Sequence, residues 1–100
     1  MRAKKYTSEN ELLVPLLEAL LKKGGEGRTV EVYALIPDMV QLTYADLNYY
    51  RKGRSFPEYG ITLDLVVGRL RRAGILEPPS GDARIKLTDA GYALMRAKRK

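Results

Sequence analysis

The chain has no cysteine and no histidine among its 100 residues. Disulfides, thiolate metal sites, cysteine nucleophiles and imidazole acid–base chemistry are therefore excluded, and with them most of the enzymatic repertoire. Long apolar runs are also missing. Nothing approaches the ~20 residues a membrane-spanning helix needs, and Met1-Arg2-Ala3-Lys4-Lys5 leads into polar Tyr6-Thr7-Ser8 rather than a signal-peptide core. The expectation is a soluble chain of cytoplasmic, nucleoid-associated location with no membrane contact, no cofactor and no metal. Its length bounds it to one domain, residues 1–100, too small for a catalytic unit beside a recognition unit.

What the chain has in excess is positive charge. Eighteen basic against twelve acidic side chains leave a net charge of +6. Residues 1–43 hold six of each sign, whereas 44–100 hold twelve basic and six acidic, so the whole excess falls in the second half. Such asymmetry favours a polyanionic partner. Part of it is the run Arg96, Lys98, Arg99, Lys100, read as a basic tail over 96–100.

Ser8 and Glu11 have capping-box spacing, and Leu13, Leu16, Leu17 and Leu20 recur at helical intervals, so a first helix runs to about Lys23 before Gly24-Gly25. Pro15 either kinks it or marks the start of its regular part. Thr29 can cap a second helix carrying Val32, Ala34, Leu35 and Ile36, which Pro37 bends or ends. Thr43 and Asp46 form another capping pair for a short helix to about Tyr50, with Leu42 positioned to staple Leu47. The longest helix starts between Ser55 and Glu58 and ends at Ala73, with Gly74 as C-cap. Its core stripe is Tyr59, Leu63, Val66, Val67, Leu70 and Ala73. Ile75-Leu76-Glu77 begins a strand, Pro78 to Asp82 is turn chemistry, and Arg84-Ile85-Lys86-Leu87 alternates as a half-buried strand does. Leu87-Thr88 with Tyr92 opens the closing helix. Helix, two small strands and a capped helix in that order give the expected fold class: α+β, mainly helical, a winged helix-turn-helix with a two- or three-stranded wing.

Four groups of residues are candidates for contact. The loop Arg51, Lys52, Arg54, with Ser55, lies before a helix N-terminus, where free amides and the helix dipole also favour an anion; the alternative is a solvated basic loop. On the long helix, Glu58, Ile61, Thr62, Leu65 and Arg69 form the face opposite the core. There Thr62 can bond a base or phosphate, Ile61 can touch a methyl and Arg69 can reach the backbone; otherwise Ile61 and Leu65 pack under the loop. Arg71 and Arg72 complement the helix dipole. Arg84 and Lys86 point outward on the hairpin, as a DNA-contacting wing or as ordinary strand charge. Tyr44, Tyr49, Tyr50 and Tyr59 offer either a platform for an unstacked base or amphipathic packing.

Taken together, Val14-Pro15-Leu16-Leu17-Glu18-Ala19-Leu20, Leu42-Thr43, Leu70-Arg71-Arg72-Ala73-Gly74-Ile75-Leu76-Glu77 and Leu87-Thr88-Asp89-Ala90-Gly91-Tyr92-Ala93-Leu94 resemble the N-terminal winged-helix domain of Mrr-type restriction proteins over about Tyr6 to Met95. The resemblance implies a non-catalytic module that binds double-stranded DNA and delivers a nuclease domain, in this chain or another, within a restriction or defence system, with modified DNA as a candidate target. No nuclease fits within these 100 residues. The chain departs from the family early in the long helix, where Glu58 to Asp64 supply no Arg, Lys, Asn or Gln for a bidentate base contact. A protein-interaction or assembly module using Ile61 and Leu65, or an RNA binder, remains the alternative.

Overall fold

The first helix forms because its cap and its apolar stripe agree. In the computed structural model, which describes residues 6–98, α1 spans Glu9–Lys22. The Ser8 hydroxyl accepts the Glu11 amide, and the Glu11 carboxylate accepts the Ser8 amide. The helix runs unbroken through Pro15, at the cost of one intrahelical hydrogen bond. Leu12, Leu16, Leu17, Ala19 and Leu20 are fully buried along one side. Gly24 and Gly25 then turn the chain with φ of 84° and 93°. At Gly25 a second constraint applies, because a Cβ there would overlap the Tyr92 hydroxyl.

Next come β1 (Glu26–Arg28), α2 (Thr29–Tyr33), α3 (Ile36–Met39) and α4 (Tyr44–Asn48). The sequence expectation of one second helix is corrected to two short ones, with Pro37 inside the first turn of α3. Thr29 is not the cap of α2. Its amide and hydroxyl both donate to the Ala83 carbonyl, at 2.8 and 2.9 Å, tying the helix start to the far hairpin. At α4 the expected box is present: the Thr43 hydroxyl accepts the Asp46 amide at 3.1 Å and Asp46 accepts the Thr43 amide at 3.0 Å. Leu47, expected to staple to Leu42, stays exposed.

The long helix α5 (Glu58–Arg72) is capped by Pro57 without a side-chain bond, so Ser55 does not cap it. Its Glu58 amide donates to the Tyr49 carbonyl at 2.8 Å. Tyr59, Leu63, Val66, Val67 and Leu70 face inward and pack chiefly on α1. Ala73, assigned to the same stripe, is exposed as the C-cap, and Gly74 follows with φ 79°.

The sheet is built across the chain. β2 (Arg84–Lys86) pairs antiparallel with β1 in the register Glu26↔Lys86, Gly27↔Ile85, Arg28↔Arg84. The strand expected at Ile75–Glu77 is reduced to a single bridge, Leu76↔Leu87, with the Glu77 amide on the Lys86 carbonyl at 2.9 Å. Ile85 and Leu87 point into the core while Arg84 and Lys86 point out. The last helix, α6 (Asp89–Lys98), begins at Thr88, whose hydroxyl accepts the Gly91 amide at 3.0 Å and donates to the Gly74 carbonyl at 2.6 Å. It carries Arg96 and Lys98, so these two cations belong to a helix. Arg99 and Lys100 of the expected tail, and Met1–Lys5, lie outside the described residues. The result is a mainly helical α+β fold with a two-stranded antiparallel sheet. Among the described residues no helix is long and apolar enough to cross a membrane.

Candidate nucleic-acid interface

Helical periodicity divides the exposed surface of α5 into three strips. Ile61, Leu65, Gly68 and Arg72 fall at i, i+4, i+7 and i+11 and form the strip farthest from the core. Asp64 and Arg71 flank it on the side of α2 and the hairpin. Thr62 and Arg69, seven residues apart, flank it on the other side. Arg69 turns toward α1, where its guanidinium reaches Glu9 at 3.4 Å and Asn10 at 3.2 Å. The face expected from sequence therefore splits, and Arg69 with Thr62 lies on the α1 side of the outer strip.

The basic loop splits as well. Arg51 holds the nearly buried carboxylate of Glu58 in a two-pronged contact at 3.1 and 3.0 Å. Glu58 in turn stabilises the guanidinium cation and raises the Arg51 pKa above its ordinary value. Arg54 reaches the other way, to Asp64 at 3.3 Å. Lys52 is exposed and has no acidic partner among the described residues.

Between α2, the loop 53–57 and the first turns of α5 lies a cleft of about 290 Å³. Thr29, Val30 and Tyr33 line one wall, Arg54, Ser55 and Phe56 another, and Ile61 and Asp64 close it from the helix. Asp64 accepts the Tyr33 hydroxyl at 2.8 Å on one carboxylate oxygen and Arg54 on the other. Burial and the Asp64 carboxylate raise the Tyr33 phenol pKa well above its usual value, while Arg71 pulls weakly the other way. Phe56 packs on Tyr33 and Tyr59 with centroids at 6.1 and 5.1 Å. It fits only because residue 60 is glycine, since a Cβ there would overlap the ring.

The four tyrosines expected either as a platform or as packing divide between core and surface. Tyr59 is 5% exposed, its hydroxyl donates to the Tyr33 carbonyl at 3.4 Å, and burial raises its pKa. It is a core residue, a correction to its assignment as a contact. Tyr44, Tyr49 and Tyr50 are exposed on and after α4, where Tyr49 lies 6.3 Å from Tyr6. The aromatic rings that line the cleft are Tyr33 and Phe56, neither of which stands out in the sequence.

Beside the hairpin tip the sheet register sets Arg28 directly opposite Arg84. Arg84 is also 3.6 Å from Glu26, and Lys86 is outward-facing beside them. Arg71, expected only to serve the helix dipole, reaches across to the Glu77 and Arg84 carbonyls at 3.1 and 3.2 Å. Arg72 lies back over Gly68 on the outer strip. Arg28 was not expected as a site residue, because its place opposite Arg84 arises from a strand that three residues, Glu26-Gly27-Arg28, barely announce. The hairpin tip itself has no cation: Asp82 accepts the Ser80 hydroxyl, which lowers its pKa. No group of three or more His, Cys, Asp or Glu side chains among the described residues is arranged to hold a metal ion. No family model, no curated protein and no solved structure matches the chain.

Proposed function

We propose that this chain is a non-catalytic, winged-helix domain that binds double-stranded DNA, with α5 as the helix presented to the groove and the residues from Leu76 to Leu87 as the wing. The wiring supports the reading. β1, which precedes α2, pairs with β2, the second arm of a hairpin that follows α5, and the first arm meets the other side of that same strand at the Leu76–Leu87 bridge. The observation that carries it is a succession of basic residues: Arg72 on the outer strip of α5, Arg71 beside it reaching the Arg84 carbonyl at 3.2 Å, and Arg84 opposite Arg28 in the strand pair. Two of these, Arg28 and Arg84, are like charges facing each other across a strand pair. Glu26 offsets Arg84 at 3.6 Å, and Arg28 adds a second outward cation beside it that a phosphate would be drawn to. The sequence resemblance to Mrr-type restriction proteins extends the proposal to a recognition module of a restriction or defence system, working with a nuclease domain in the same or another chain.

Affinity for duplex DNA measured between low and moderate salt tests this, with single-stranded DNA and RNA run beside it. The expected result is a steep log–log fall of several units and a preference for duplex DNA. A flat response removes the proposal. One observation favours a second reading, a protein-interaction surface: Val30 and Leu65 are 59% and 54% exposed on the same side of the molecule as the cleft.

A further inference from the structure

We infer that the sugar–phosphate backbone of a duplex crosses α5 at Gly68, resting on bare main chain in the C-terminal half of the helix with Arg72 as its cationic hold. This rests on the DNA-binding reading above and names the point of closest approach. Glycine weakens a helix interior relative to alanine, so its presence there calls for a cause in backbone conformation, packing or contact with a partner.

Nothing inside the molecule supplies that cause for Gly68. Five of the nine glycines adopt a left-handed backbone, and Gly27, Gly60 and Gly91 stand against neighbours that a Cβ would crowd. Gly68 does neither. It lies within α5, one turn before Arg72, and a Cβ there would meet only the Arg72 guanidinium, at 3.5 Å, an ordinary van der Waals contact. An alanine fits the free protein at this position. What the glycine keeps open is the space outside it, where a partner can touch the helix main chain.

Charge says which partner fits that space. The first half of the outer strip offers a polyanion no free cation, because Ile61 and Leu65 are apolar and the neighbouring Asp64 is paired with Arg54. The second half does. Arg72 is exposed, has no acidic partner among the described residues, and lays its guanidinium alongside the bare main chain at Gly68. Next to it Arg71 grips the Glu77 and Arg84 carbonyls of the hairpin, so the outward cations Arg84 and Arg28 continue from the same end of α5. A phosphate set down on Gly68 lies within reach of Arg72, and the strand it belongs to runs on toward the hairpin.

The test measures melting temperature and duplex affinity on the same variants of the full chain. Gly68→Ala should melt about 4–8 °C above the parent, as removal of a helical glycine does, and yet bind duplex more weakly. Gly68→Leu should melt no lower than the parent and bind about tenfold more weakly, the cost of forcing a side chain into a close contact. Neither change removes a cation, so the log–log salt slope should keep the parent's value, whereas Arg72→Ala lowers it by about one unit. In an Arg72→Ala background Gly68→Leu should still cost about tenfold. Full duplex affinity in Gly68→Leu overturns this proposal alone, as does a melting temperature below the parent's in Gly68→Ala. So does a loss that vanishes once Arg72 is replaced, which would make Gly68 no more than a seat for the guanidinium. Failure of the parent to bind duplex at low salt overturns the DNA-binding reading and this proposal with it.

Discussion

Thr7 donates both its backbone amide and its hydroxyl to the carboxylate of Asp46, 39 residues away in sequence. The same carboxylate accepts the Thr43 amide, and Asp46 is fully buried. One side chain thus caps α4 and ties the segment before α1 to it. Asp46→Ala strands several buried donors at once and should cost about 3 kcal/mol, a melting drop of roughly 12–24 °C at ~4–8 °C per kcal/mol. Asp46→Asn, which keeps one acceptor oxygen, should fall between. A loss under about 1 kcal/mol in Asp46→Ala by urea denaturation would show that water replaces the carboxylate.

Tyr33 makes stability sensitive to alkali. Burial and Asp64 raise its folded pKa above the unfolded value near 10, and burial raises that of Tyr59 as well. Below pH ~10 both states keep these protons and stability is unaffected. Above it the unfolded chain releases protons that the folded chain retains, so the free energy of unfolding falls as pH rises. Tyr33→Phe should flatten that decline by about 1.4 kcal/mol per pH unit, the slope of one proton. Urea denaturation at pH 8, 10 and 11 measures it, and identical slopes in the two proteins would contradict the assignment.

The elements with strong local signals were legible in the sequence. Ser8 with Glu11 and Thr43 with Asp46 form capping boxes at the expected positions, and the α5 stripe from Tyr59 to Leu70 is buried as its spacing demands. Features decided by distant partners were not. Thr29 looks like a cap but spends its donors on Ala83, 54 residues on. β1 exists because Gly27 and Ile85 pair across the fold, and nothing within Glu26-Gly27-Arg28 alternates long enough to show it.

The candidate site divides along the same line. A charge count marks the loop 51–54 as cationic, but it cannot show that Arg51 serves Glu58 and Arg54 serves Asp64. Nor can it show that Tyr33 and Phe56, 23 positions apart, line one cleft. Ion-pair partners and cavity walls are properties of tertiary packing, and local pattern does not carry them.

Arg51 should therefore report on stability more than on binding. Its two bonds satisfy a Glu58 carboxylate whose side chain is only 9% exposed, while Arg51 itself is half in solvent. Arg51→Ala leaves that carboxylate buried and unpaired, and a lower melting temperature than the parent's is expected. Arg51→Ala with Glu58→Gln should recover part of the loss, because the neutral amide is cheaper to bury. If the single variant is as stable as the parent but loses a full unit of DNA salt slope, the loop is a phosphate contact after all.

Arg28 should show the opposite pattern. It faces Arg84 across the strand pair, and no acidic partner is recorded for it among the described residues. Like charges directly opposite are mildly destabilising, so Arg28→Thr, which suits a strand, should raise the stability of the free protein by a few tenths of a kcal/mol, roughly 0.2–1. The same change should weaken every duplex about equally and lower the log–log salt slope by about one unit, as loss of one phosphate contact does. Arg72→Ala should lower the slope similarly, whereas Arg69→Ala, whose guanidinium is turned to Glu9 and Asn10, should leave it unchanged. Thermal denaturation and fluorescence anisotropy on the three variants separate these effects. A gain in stability with a loss of duplex affinity at Arg28 identifies a cation held in place for an anion. A slope that depends on Arg69 instead would move the contact surface to the α1 side of α5.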